Sequence, residues 1–329
     1  MPKVKPNWPL LAGLRFVLAL IVAMTHISLT VADGTFAYYR HWGAGAAVAA
    51  FLVVSGFCMA HSYGKEPEGF YRRRFWRIWP TYAFAVIVAQ VPFWVWGHNI
   101  AINFQEGFLM PPWPQIARAF FMVPFAHDHA LPFDGALWTV NVEAFYYLLV
   151  PFMARLRSRH LVPLIGISAA TARLTPLDPG YWLYGHLFWA FGIGWLLFHH
   201  WRDRRVRALA LILPPAMVSG DGVLASLVAL GAVFLILNME RCQFEPKLAA
   251  RLNYLGDLSY PLYALHWPVA WIITLLYLPV DLAQPAFVVW ICVAAAAVVL
   301  HAVDKPLRRL GREPLWRRRT VEVATEGAV

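Results

Sequence analysis

Leu10-Leu-Ala-Gly-Leu-Arg15-Phe-Val-Leu-Ala-Leu-Ile-Val-Ala-Met-Thr-His26-Ile-Ser-Leu-Thr-Val31 is the stretch on which the reading of this chain turns. It has the length of a membrane-spanning helix, which needs about 20 mostly apolar residues. Yet it holds two ionisable side chains, Arg15 and His26. Such groups are costly inside a bilayer and mark a functional site by default. They stand 11 residues apart. That is close to three helical turns, so both project from one face, roughly 16 Å apart along the axis. Arg15 can snorkel toward one interface. His26 lies deeper, and a structural histidine bonded within a helix bundle is the plain alternative to a functional one.

The same pattern recurs outward from this segment. Ten candidate spans follow, at 10–31, 42–63, 78–97, 136–154, 161–173, 181–200, 208–218, 223–239, 257–278 and 285–303. Those at 161–173 and 208–218 are short for a full crossing. Hydrophobic residues make up 60% of the chain and charged residues 14%, against about 25% charged in soluble domains. The 16 Trp and 22 Phe suit interfacial aromatic belts. A net charge of +10 could suit nucleic acid. Its distribution gives a better account. With the N-terminus inside, only Arg40, Arg118 and Arg173 fall outside, which leaves 25 of the 28 Lys and Arg residues on the inner side. This is the positive-inside pattern of a polytopic membrane protein. The expected fold is an all-α integral membrane bundle of about ten transmembrane helices in contact with lipid, both termini cytoplasmic, with no nucleic-acid partner. The sequence sets no oligomeric state.

The first apolar stretch is too long for a cleaved signal peptide and reads as a permanent span. Cys58, Cys242 and Cys292 fall in two spans and an inner loop, so no disulfide framework or metal site is expected. His127-Asp128-His129 is a loop cluster without further ligands and is not read as a metal site. The longest stretch between spans, His98 to Gly135, contains Pro111-Pro112-Trp113-Pro114, which interrupts any continuous helix. Its apolar run Ile116 to Phe125 is too short to cross, so it lies at the outer interface or re-enters the bundle. Residues 1–306 form one transmembrane domain, and 307–329 a tail that is basic and then polar.

Five local patterns occur in order. Arg15 and His26 come first, then Phe51-Leu-Val-Val-Ser55-Gly56-Phe57. Phe70-Tyr-Arg-Arg73-Arg74-Phe-Trp-Arg77-Ile-Trp-Pro80 follows, then Trp138-Thr-Val-Asn-Val-Glu143-Ala-Phe-Tyr146-Tyr147. The last is Leu255-Gly256-Asp-Leu-Ser259-Tyr260-Pro-Leu-Tyr263-Ala-Leu-His266-Trp-Pro268. Together they resemble the acyltransferase-3 family of membrane O-acyltransferases, from about Leu10 to Pro306, without the C-terminal hydrolase-like domain of some members. The resemblance implies transfer of an acyl group, often acetyl, from cytoplasmic acyl-CoA (acetyl-CoA for acetyl) to a hydroxyl outside the cell. It implies a surface carbohydrate or lipid-linked glycan as acceptor, a small secondary metabolite such as a macrolide in some members, and a bacterial cytoplasmic membrane. Ala49, Ala144 and Asp304 stand where many members carry acidic residues, a second Glu and Glu respectively. Ala49 and Ala144 point toward a different acceptor.

The chemistry can be argued from the residues themselves. Acyl transfer to an alcohol needs a base, and imidazole is the natural one near neutral pH. His26 lies about 7 Å below the outer end of its span, so a cytoplasmic CoA must thread its pantetheine arm into the bundle. His26 is therefore expected as general base, with Arg15 steering the donor. Glu143, at a depth of roughly 10 Å, is expected to orient His26 as the third member of a triad does; a bond to some other bundle group is the alternative. Arg73, Arg74 and Arg77 share a helical face by i, i+3 and i, i+4 spacing and suit the phosphates of CoA, although topology alone also concentrates arginines there. Ser55-Gly56 reads as a packing feature, because no base can be assigned beside Ser55. His266 either lines a substrate channel or is a structural histidine, and Trp138 and Tyr260 shape the cavity or pack. A transporter or flippase using Arg15, His26 and Glu143 as a substrate or proton path is the reading from another class; it predicts broken helices in two matched halves, which the sequence lacks.

Overall fold

Two close helix pairs set the frame of the computed structural model, which describes residues 4–30, 43–100, 108–123, 131–174, 183–277 and 285–312. Helix α1 (Trp8–Thr30) runs along α12 (Pro246–Tyr277), and α2 (Ala44–Lys65) along α9 (Phe188–His199). Glycine permits both approaches. A Cβ at Gly56 would lie 2.0 Å from the Phe191 carbonyl oxygen, and one at Gly194 1.9 Å from that of Val53. The two backbones therefore touch reciprocally, as small residues allow inside membranes. A Cβ at Gly256 would meet that of Ala12 at 2.4 Å. The packing reading of Gly56 holds.

Between these pairs run α3 (Phe70–Val88) and α4 (Val91–Trp96), then a short antiparallel ribbon of β1 (Asn99–Ile100) and β2 (Phe108–Leu109) that the sequence reading did not expect. Helices α5 (Trp113–Phe120), α6 (Leu137–Arg155), α7 (Ser158–Leu174) and α8 (Leu183–His186) lead to α9. Helices α10 (Arg204–Met217) and α11 (Val223–Asn238) precede α12, and α13 (Pro285–Val299) continues through a π-helical turn at Leu300–Asp304 into α14 (Lys305–Arg312).

The described residues of all ten expected spans are mainly helical. Six helical stretches among the described residues are long and apolar enough to cross a membrane: Trp8–Thr30, Ala44–Lys65, Phe70–Trp96, Leu137–Arg155, Val223–Arg241 and Ala286–Gly311. Helices α7, α9 and α10 have 17, 12 and 14 residues and fall short of that length. Helix α12 is long enough, at 32 residues, but carries more polar side chains. Two starts differ most from expectation. Helix α3 begins at Phe70 rather than 78, and α12 at Pro246 rather than 257. In both, the polar residues before the apolar run continue the helix: on α3 Arg73, Arg74 and Arg77 line an internal cavity, and on α12 the first two turns are largely exposed, with Asn253 the first residue to reach the cavity.

Helix α5 carries the described part of the apolar run after the proline cluster. Trp79, nine residues into α3, donates its indole N–H to the Phe120 carbonyl at 3.1 Å. Ile116 and Ala119 are buried while Trp113 and Phe121 face outward. The helix therefore packs one side against α3 and leaves its aromatic ends exposed. His127-Asp128-His129 and Arg40 lie outside the described residues, as does the tail beyond Arg312.

Candidate active site

A cavity of about 690 Å³ opens among α1, α2, α3, α6, α12 and α14. Volumes of 300–1,000 Å³ are usual for small-molecule sites. One end carries Lys65, Arg73, Arg74 and Arg308; the other closes at Thr139 and Tyr263. Arg15, Arg77 and Glu143 also line it. His26 does not, nor do His266 and Trp138.

The arginines differ in how they are held. Arg73 pairs with Glu66 at 3.0 Å and also donates to the Glu66 and Glu68 backbone carbonyls. It thereby closes the C-terminal end of α2, and its donors are largely committed. Arg74 donates to Ser62 Oγ at 3.0 Å and sits 5.6 Å from the Phe70 ring centre. Arg308 bonds Asp257 and Asp304, at 2.8 Å in each case. The π turn brings Asp304 inward, and the carboxylate is fully buried. Arg15 and Arg77, by contrast, form no hydrogen bond or ion pair with any described residue. Two partly buried guanidinium groups that face one cavity without a hydrogen bond to a described residue have donors an anion could accept.

Glu143 has partners other than the one expected. Ser55 Oγ and Tyr147 Oη each donate to Glu143 Oε1 at 2.6 Å, and the two hydroxyls are 3.1 Å apart. The expected pairing of Glu143 with His26 is therefore corrected. Depth matching placed both groups at one level but not on facing surfaces, and Tyr147 lies one turn along the same helix. Ser55 does have a carboxylate beside it, contrary to the sequence reading; the α2–α6 contact supplies it.

His26 is paired with His266 instead. His26 Nδ1 lies 2.8 Å from His266 Nε2. The rings are inclined by only 10° with centres 5.1 Å apart, so with nitrogens this close they meet edge to edge in one plane. His266 Nδ1 lies 2.7 Å from the Tyr263 carbonyl oxygen and 3.2 Å from that of Leu262. Trp267 packs against the His26 ring with centres 4.1 Å apart. His266 is fully buried, whereas His26 is partly exposed. The pair sits just beyond the closed end of the cavity, since the Tyr263 ring contacts His266 and its hydroxyl is bonded to Thr139.

Tyr260 lines the cavity and donates to the Ile78 carbonyl at 2.7 Å, tying α12 to α3. Trp138 is half-buried against the core. The sequence reading missed the Arg308, Asp257 and Asp304 cluster, although the i, i+4 spacing of Asp304 and Arg308 was a signal for it.

A family model described as an acyltransferase domain matches residues 9–303. No curated protein matches the chain, and no solved structure does.

Proposed function

Because this chain belongs to the acyltransferase-3 family and is a multi-pass membrane acyltransferase, we propose that it moves an acyl group, acetyl first among candidates, from cytoplasmic acyl-CoA to a hydroxyl of an extracytoplasmic glycan or glycolipid. The observation that carries this reading is a cavity, with two arginines that bond no described residue, that ends beneath an imidazole pair. In this reading about ten helices cross or enter a bacterial cytoplasmic membrane. The basic end faces the cytoplasm, as the positive-inside bias requires.

The donor phosphates meet Arg77 and the basic rim formed by Arg74 and Arg308, with Arg73 fixing the rim through Glu66. Arg15 lies deeper and steers the thioester end. The acceptor enters from the opposite side. His26 removes the proton of the attacking hydroxyl, the oxygen adds to the thioester carbonyl, and the C–S bond breaks to release the CoA thiolate, which takes up that proton to leave as the thiol and return His26 to its neutral form. Positioned proton transfer of this kind contributes about 10²–10⁴-fold.

The test is mass spectrometry of surface glycans from a strain lacking the protein and restored with the intact chain or with His26→Ala at equal expression. Acyl mass increments that return only with the intact chain are the expected result. Equal increments from both would remove His26 as the base. None from either would remove surface glycans as the acceptor and move the search to small metabolites.

A further inference from the structure

We infer that His266 is a positioning residue that fixes His26 in one tautomer and leaves its Nε2 as the basic nitrogen. The inference rests on the proposed acyl transfer and adds the atom that takes the proton and the residue that selects it.

The argument follows the hydrogen bonds outward from the backbone. Carbonyl oxygens only accept. His266 Nδ1 lies within bonding distance of the Tyr263 and Leu262 carbonyls, so Nδ1 carries the proton. A neutral imidazole holds one proton, which leaves His266 Nε2 as an acceptor. His26 Nδ1 is 2.8 Å from that acceptor and must donate to it. The proton of neutral His26 is then on Nδ1, and its Nε2 carries the free lone pair. The hydrogen bond at one ring nitrogen decides the state of the other.

Three further features fit this chain. The two rings are nearly coplanar, which aligns donor and lone pair. Helix α12 presents both carbonyls from the turn preceding His266, so backbone geometry rather than a mobile side chain sets the first link. The Cys292 thiol lies 3.5 Å from the His266 carbonyl, where α13 packs against this part of α12. His26 Nε2 makes no hydrogen bond to any described residue and belongs to the partly exposed ring of the pair. When Nε2 takes a proton from a hydroxyl, the Nδ1–H bond to His266 remains and steadies the cation. This is the part a carboxylate plays in a hydrolase triad. Here a second imidazole anchored on backbone carbonyls plays it, and Glu143 is bonded elsewhere.

The experiment joins ¹⁵N NMR of histidine-labelled protein in lipid to kinetics of two variants. His26→Ala identifies the His26 signals by difference. In the intact protein above the titration of His26, its Nδ1 should be protonated and its Nε2 bare. The opposite pattern overturns the inference without any variant at the second site. His266→Phe removes the acceptor and should lower kcat on the order of 10²-fold or more, with donor affinity unchanged because His266 does not line the cavity. His266→Gln keeps a side-chain acceptor and should recover part of the loss. Equal turnover in intact protein and His266→Phe, or equal losses in Phe and Gln variants, would reduce His266 to a packing role. If the intact protein transfers no acyl group, the functional reading fails, while the tautomer is still read from the spectrum.

Discussion

The cavity and the imidazole pair are built on opposite principles. The cavity is lined by charge gathered from several helices, and two of its guanidinium groups form no hydrogen bond or ion pair with a described residue. The pair is assembled from two adjacent helices, α1 and α12, and its buried nitrogen bonds are satisfied by backbone and by each other. An anion site must leave cations unpaired until its ligand arrives. A base must have its unused nitrogen committed so that the other is ready. Between them lies the Tyr263–Thr139 hydroxyl contact. Donor binding and proton transfer are thus separable, and substitutions should divide accordingly.

The largest effect belongs to the pair. His26→Ala should lower acyl transfer by about 10²–10⁴-fold, the range of a lost general base, while retaining acyl-CoA binding by calorimetry or fluorescence. Loss of binding together with turnover would break the separation, because His26 would then help build the cavity.

The next effect belongs to the cavity and distinguishes two neighbouring arginines. Arg77→Ala should weaken CoA binding on the order of 10- to 100-fold, as expected for charge-assisted bonds of about 1.5–3 kcal/mol. Arg73→Ala should affect binding less and melting temperature more, since its guanidinium holds Glu66 and the end of α2. Equal losses of affinity in the two variants would mean that the Arg73–Glu66 pair opens for the ligand.

Tyr263→Phe tests the partition. Removing one hydroxyl forfeits a contact of about 1 kcal/mol, so acceptor-independent thioester hydrolysis should rise roughly fivefold with donor affinity unchanged. No rise in hydrolysis would show that the barrier is made by the surrounding rings, Phe51 among them.

These differences also show what a sequence can carry. The apolar periodicity located α1 and α2 to within two residues at either end, because lipid and core both demand apolar side chains there. It placed the starts of α3 and α12 too late, because their first turns are polar for reasons a hydropathy window cannot represent: those of α3 carry arginines that line the cavity, and those of α12 are exposed. Arg15 and His26 stood out as ionisable groups in a span. The partner of each did not. Axial depth follows from counting residues, but which surfaces face one another depends on helix crossings, and those rest on contacts such as Gly256 with Ala12. So Glu143 matched His26 in depth and yet faces Ser55, while His266, 240 residues from His26 in the chain, meets it edge to edge.

The smallest effect lies beyond the pair, in the segment leading into α6. Asp134 is 1% exposed, and burial pushes its carboxyl well above the ordinary carboxylate range, with the Ala136 backbone N–H acting in the other direction. The unfolded chain releases that proton near pH 3.9. Above this pH the folded state binds more protons at Asp134 than the unfolded state, so its contribution to stability falls as pH rises, until the raised folded value is passed. Asp134→Asn removes the dependence. Melting temperatures in detergent should coincide for variant and intact protein near pH 4, then separate in favour of the variant by on the order of 1–3 °C toward neutral pH. A gap that stays constant with pH would mean that Asp134 is ionised in the folded protein and held by a partner. The region beyond the pair would then carry a charge of its own, and the contrast between a charged cavity and an uncharged outer site would have to be redrawn.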